Sequence, residues 1–181
     1  YLRHIPNLIV MAPADKEDLE LILEFALKEK RAVAIRFPKA NAPLKIASHK
    51  KVNLGEIEVL SPGKDILIFA FGSMVYNAML AKDVLVKFGI NPTIVNTRFA
   101  TGLNSDMIKE LASGHKHIIS VEEGVLEGGF GSYIQEILEK PIMRCGLPAE
   151  FITHGQREAL LEKYGLSPQA LADRIQQLCR K

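Results

Sequence analysis

Six short, mainly apolar runs punctuate the chain, with helical patterns between most of them. NLIVM (7–11), AVAIRF (32–37), DILIFAFG (65–72), PTIVNTRF (92–99), HIISVEE (117–123) and PIMRCGLP (141–148) have the length of strands rather than of helices. They do not alternate cleanly between apolar and polar residues. A strand of that kind is buried on both faces, as happens when each crossover of a parallel sheet is a covering helix. The reading is an α/β fold, a mostly parallel sheet with helices on both faces and right-handed crossovers. IEVLS (57–61) adds a short edge strand.

The intervening segments carry helix signals. Asp15 can cap DKEDLELILEFALKEK, where Leu19, Ile22, Leu23 and Ala26 recur at helical spacing. SMVYNAMLAKDVLVKFG (73–89) ends on a glycine suited to a C-cap, and NSDMIKELAS (104–113) has Asn104 or Ser105 as its N-cap. GGFGSYIQEILEK (128–140) is a further helix, and two more close the chain, the last with Ser167 at N-cap and Pro168 at N1. Only PKANAPLKIASHKKVNLG (38–55) lacks periodicity and reads as a linker.

Composition narrows the function. A hydrophobic share of 48% supports a real core, and a formal charge of +2 argues against a nucleic-acid partner. No apolar stretch approaches the ~18 residues of a membrane helix. Cys145 and Cys179 lack metal spacing and read as free thiols in a reducing compartment. The first residue is Tyr1, and a buried strand follows almost at once, so the chain reads as a piece of a longer protein.

Candidate sites follow from residue types. In HIISVEEGVLEGGFGS (117–132) a strand leads through Glu122 and Glu123 into glycines and a helix, the layout of a phosphate cradle. The full dinucleotide fingerprint is absent, since position 134 is Ile, and a tight turn packing a helix on the sheet accounts for the glycines. Glu122 and Glu123 should point to opposite sides of their strand, which makes them poor partners as acid and base. His115 and His117 form an H-x-H pair without a third ligand nearby, and His154 stands alone in a loop. Arg36 and Lys39 are the more telling pair. They sit at the end of a strand, where open α/β sheets bind ligands, and two cations there suit an anion such as phosphate.

Several stretches together resemble the 1-deoxy-D-xylulose-5-phosphate synthase family, which belongs to the thiamine-diphosphate enzymes related to transketolase. IPNLIVMAPADKEDLELIL, AVAIRFPKA, ILIFAFGSMV, ISVEEGVLEGGFGS and GLPAEFITHGQREALLEKYGLS match its C-terminal third in order. The resemblance implies three parts: residues 1–41 as the end of a pyrimidine-binding domain, 42–55 as a linker, and 56–181 as a transketolase-type C-terminal domain. It implies a five-stranded sheet with one antiparallel strand. The implied reaction joins pyruvate to glyceraldehyde 3-phosphate with loss of carbon dioxide, at the entry of isoprenoid biosynthesis and with a link to thiamine biosynthesis. Thiamine diphosphate and magnesium would bind outside these residues, so this chain alone should be inactive.

The family's substrate-phosphate motif, R-Y-P-R-G, reads Arg36-Phe37-Pro38-Lys39-Ala40 here. The resemblance thus assigns the phosphate contact to Lys39 and a supporting role to Arg36. It further implies a homodimer in the cytoplasm, or in the plastid stroma for a plant or algal source. Two alternatives stay open. One is the C-terminal section of a transketolase or of a 2-oxoacid dehydrogenase beta subunit; the other is a free-standing, non-catalytic binding or assembly module.

Overall fold

The computed structural model describes residues 1–41 and 45–180; of the linker, Ala42, Pro43 and Leu44 lie outside the described residues. After a 3-10 turn (Leu2–His4) come β1 (Ile9–Met11), α1 (Lys16–Lys28), β2 (Val33–Ile35), β3 (Glu58–Ser61), β4 (Ile66–Ala70) and α2 (Met74–Val86). Then follow β5 (Thr93–Asn96), α3 (Ser105–Ser113), β6 (His117–Val125), α4 (Phe130–Leu138), β7 (Met143–Leu147), α5 (Arg157–Lys163) and α6 (Pro168–Cys179). One sheet has the order β3-β5-β4-β6-β7 and is parallel except for β3, which lies antiparallel to β5. This is the mostly parallel α/β architecture expected from the apolar runs. β1 and β2 pair in parallel as a separate two-stranded sheet.

The period of two along β4 builds two cores. Ile66, Ile68 and Ala70 pack with Met74 and Ala78 of α2, Leu161 of α5 and Ile175 of α6. Leu67 and Phe69 face the other way, toward Ile108 of α3 and Phe130 and Ile134 of α4. Ile9, Met11 and Ile22 belong to that second core too, so the first forty residues share their apolar interior with the large sheet. Every residue of β4 is buried, as a central strand covered on both faces requires.

Local N-caps start three of the helices where the sequence indicates. The Asp15 carboxylate accepts from the Asp18 amide at 3.0 Å, and Asn104 accepts from the amides of Asp106 and Met107 at 3.1 Å each. Ser167 accepts from the Ala170 amide at 3.2 Å, with Pro168 in the first turn. β5 ends at Asn96, short of the full PTIVNTRF run, because Arg98 adopts φ 53°. A left-handed conformation costs an L-residue roughly 1–2 kcal/mol. It turns the chain toward β1: the Ala12 amide donates to the Arg98 carbonyl at 2.9 Å and the Ala100 amide to the Val10 carbonyl at 2.8 Å.

Two polar ties then lock the first forty residues to the rest. In one, the Arg3 guanidinium donates to the carbonyls of Gly128 and Gly129 at 2.8 and 2.7 Å and lies 4.6 Å from the Tyr133 ring centre. The larger tie is a buried ion cluster. Arg98 Nε donates to Asp18 at 2.6 Å, and its Nη2 donates to Glu58 at 2.9 Å and to the Lys50 carbonyl at 3.0 Å. His49 Nδ1 lies 2.8 Å from Glu58 and its Nε2 lies 3.1 Å from Asp15. All five side chains are at most 3% exposed. They come from α1 and its cap, the segment before β3, β3 itself and the end of β5.

Burial alone would push the His49 pKa down, but the hydrogen bond to Glu58 and the carboxylates of Asp18 and Asp15 raise it to about 9. The folded value lies above the unfolded one near 6.5. The resulting stability is fully present below pH ~6.5 and is lost as pH rises through about 9. Denaturant unfolding of the parent and of His49→Gln between pH 6 and 10 checks this. The parent should be the more stable by on the order of 2–3 kcal/mol at the low end, with the gap closing toward pH 10. A gap that does not vary with pH would mean that His49 carries no charge in the fold.

Candidate functional site

The strand order turns back between β4 and β6. From β4 the chain crosses through α2 to β5 on one side, then through α3 to β6 on the other side of β4. Open α/β sheets bind ligands in the crevice outside the carboxyl ends of the strands at such a switch point. Ser73 follows the end of β4 there, and Glu123 lies on β6 beyond its last pairing with β4, Val121 opposite Ala70. Arg157, the first residue of α5, and Arg36, just after β2, complete the group.

Arg157 grips Glu123 in a fork, with Nε 3.0 Å from Oε1 and Nη2 2.7 Å from Oε2. The Ser73 hydroxyl donates to Glu123 Oε2 at 2.9 Å and accepts from Arg157 Nη2 at 3.1 Å. Arg36 Nη1 stands 3.8 Å from the same Oε2, outside hydrogen-bond range. Burial would raise the Glu123 pKa, but the bonds from Arg157 and Ser73 hold it below the usual carboxylate range, so Glu123 is ionised. Beside this group opens a cleft of about 350 Å³, lined by Pro13, Ala14, Phe37, Lys39, Asn41 and Ser73 among others. Lys39 has no ion-pair partner among the described residues. Lys39 and Ser73 thus line the same cleft, and Arg36 adjoins it through Glu123.

The glycine turn is a different matter. Glu122 and Glu123 do point to opposite sides. The Glu122 carboxylate accepts from the amides of Phe130 and Gly131 at 2.8 and 2.7 Å, at the N-terminus of α4. Burial pushes the Glu122 pKa up, and the two amide donors pull it the other way. The group that fills this cradle is the protein's own Glu122 carboxyl. A Cβ on Gly131 would run into Ser120 Oγ and would sit 3.2 Å from Arg144, and one on Gly129 would run into the Val125 carbonyl. The glycines let α4 approach the sheet and its cap, the structural role expected of them.

The remaining candidates are engaged elsewhere. His115 pairs with Thr93 Oγ1 and with the Leu111 carbonyl, both at 2.8 Å, and His117 lies at the opposite end of the sheet from the cleft. His154 is exposed, Cys145 is buried and Cys179 is exposed, and both thiols are free. Among the described residues, Asp18, His49 and Glu58 bring ligand atoms within 4.8 Å of one another. Arg98 already donates to both carboxylates, so a magnesium ion would meet a guanidinium in its own shell. With Glu122 filling the glycine turn, the described residues fit neither magnesium nor a diphosphate at these two places. Ser73 and Arg157 escape a reading of local motifs, and Glu123 is visible there only as half of a glutamate pair, because their grouping depends on contacts 50 and 34 residues apart.

Comparison with known proteins gives the family of the chain. A family model described as "Transketolase, C-terminal domain" matches residues 55–171, and one described as "Transketolase, pyrimidine binding domain" matches residues 1–45. The chain belongs to the transketolase family. It is 37% identical over 186 residues to 1-deoxy-D-xylulose-5-phosphate synthase of Trichodesmium erythraeum, an alignment covering 98% of this chain and 29% of that protein. It is 40% identical over 182 residues to the synthase of Dictyoglomus thermophilum, covering 97% of this chain and 29% of that one. The chain therefore spans 29% of the length of these relatives. A solved structure described as "Split gene transketolase, inactive beta4 tetramer" superposes with a TM-score of 0.86 at 29% identity, over 97% of this chain and 58% of that one.

The Glu122 cap yields a test. Glu122→Ala leaves two buried amide donors without an acceptor and should cost about 2–4 kcal/mol in urea unfolding. A loss under about 0.5 kcal/mol, the size of an ordinary surface substitution, would mean that the turn does not depend on this carboxylate.

Proposed function

We propose that this chain forms the C-terminal section of a 1-deoxy-D-xylulose-5-phosphate synthase. The complete enzyme joins pyruvate to glyceraldehyde 3-phosphate with release of carbon dioxide, the first step of the non-mevalonate isoprenoid route. The reading rests on identity to synthases along nearly the whole chain. Its physical support is a cleft at the switch point of the sheet, lined by Lys16, Lys39 and Ser73 and by Asp15, whose carboxylate is tied to His49. Residues 1–41 act as the end of the pyrimidine-binding domain, 42–55 as linker and 56–181 as the C-terminal domain. Thiamine diphosphate and magnesium are held by parts of the enzyme outside these residues, and the enzyme works as a homodimer in the cytoplasm. Among the described residues no helix is long and apolar enough to cross a membrane, which fits that setting.

This chain's own contribution is to receive the phosphate of glyceraldehyde 3-phosphate. Lys39 supplies an ammonium that the fold leaves unpaired among the described residues, and Arg36 adds a second positive charge. Lysine contacts phosphate as a point charge, without the fork of arginine. Thiamine diphosphate, when bound, supplies the carbanion chemistry. A second reading has one observation in its favour, the likeness to a split-gene transketolase: the chain serves as one subunit of an enzyme divided over two polypeptides.

Kinetics of the complete enzyme separate phosphate recognition from a structural role. A charge-assisted hydrogen bond contributes about 1.5–3 kcal/mol, so Lys39→Ala should lower kcat/KM for glyceraldehyde 3-phosphate about 10- to 150-fold. KM for pyruvate should hold, and phosphate-free glyceraldehyde should react equally with parent and variant. Equal losses with both acceptors would assign Lys39 to structure.

A further inference from the structure

The group behind the cleft contains more cation than its carboxylate requires. Glu123 is matched oxygen for nitrogen by the fork of Arg157, and its Oε2 also takes the Ser73 hydroxyl. Arg36 reaches that same oxygen only at 3.8 Å, with its side chain 48% exposed, against 28% for Arg157 and 15% for Glu123. The two arginines therefore stand in different relations to one carboxylate. Arg157 satisfies it, while Arg36 stands outside hydrogen-bond range, half exposed, and directly precedes Phe37, Pro38 and Lys39, which line the cleft.

We propose that Arg157 is a positioning residue that neutralises Glu123 and so keeps Arg36 available to a phosphate in the cleft. The inference rests on the anion reading of the cleft and extends it to α5. With Arg157 in place, Lys39, Arg36, Arg157 and Glu123 leave two positive charges around the cleft. Without it, an ionised and poorly solvated carboxylate would have one cation within reach. Arg36 would close the 3.8 Å gap and pair with Glu123, leaving its donors turned from the cleft. Of these four residues only Lys39 would then face the anion, with half their positive charge; Lys16 and Asp15, which also line the cleft, stay beside Glu20 and His49 in either case. Glu123 is what makes Arg157 necessary, so the two residues must show opposite effects on the anion.

Inorganic phosphate, titrated at low ionic strength into the 181-residue chain and followed by the backbone amide resonances of Lys39 and Ala40, tests this. Lys39→Ala should weaken binding about tenfold, and Arg157→Ala about fivefold or more. Adding Glu123→Gln to Arg157→Ala should bring the affinity back to within about twofold of the parent, the charge effect being cancelled at its source. If the double variant stays as weak as Arg157→Ala, Arg157 acts by holding α5 in place and the inference fails, while a loss in Lys39→Ala still supports the cleft. If Lys39→Ala binds phosphate like the parent, the cleft reading fails and the inference with it. Should Arg157→Ala not fold, Glu123→Gln alone decides: it should bind phosphate at least as tightly as the parent, and weaker binding overturns the proposal.

Discussion

The whole arrangement depends on Arg98. Its guanidinium reaches Asp18 of α1, Glu58 of β3 and the Lys50 carbonyl, tying together three stretches of chain that local structure would leave independent. Its backbone pays a conformational cost for this, with φ at 53°. The same turn that costs energy carries the carbonyl that receives the Ala12 amide and brings Phe99 opposite Met11. Taking five charges out of water is expensive unless each lone pair and proton finds a partner. Here Asp18 also accepts from Asn96 and the Ala14 amide, Asp15 from the Ile46 amide, and Glu58 from the Lys50 amide. Such a cluster is worth little as net stability against an apolar replacement. Its effect is to specify one docking of the first forty residues, because any other register strands a buried charge.

That docking creates the cleft. Ten of its eleven lining residues fall between Pro13 and Asn41, and Ser73, after β4, is the contribution of the large-sheet part of the chain. Asp15 lines it while also holding His49 in the ion cluster. The electrostatic hub and the candidate anion site thus share a residue.

Burial and short-range chemistry were legible in the sequence. The apolar runs became strands because an all-buried β4 needs neither alternation nor partners outside its own sheet. The caps at Asp15, Asn104 and Ser167 were readable because each acts within three residues. His49 was not, since it sits in an aperiodic lysine-rich segment and its partners lie 9 and 34 residues away. The glycine turn was read as structural without Glu122's part in it being visible, because a cap reaching eight residues forward lies outside every local capping pattern. Arg36 and Lys39 were found through a strand-end position and a family motif. What Arg36 faces, a carboxylate already claimed by another arginine, is a property of the tertiary fold alone.

The two adjacent glutamates show how one strand end serves both faces of the sheet. Side chains alternate along β6, so Glu122 goes to the amides of α4 and Glu123 to Arg157 of α5. The first satisfies a helix terminus that would otherwise attract an anion. The second lies where open sheets place their ligands, and there an unneutralised carboxylate would repel a phosphate. A carboxylate is tolerable at each position only because a partner is supplied, backbone donors for one and a guanidinium for the other. Sequence identity at positions 122 and 123 therefore conceals a division of labour that the pleat imposes.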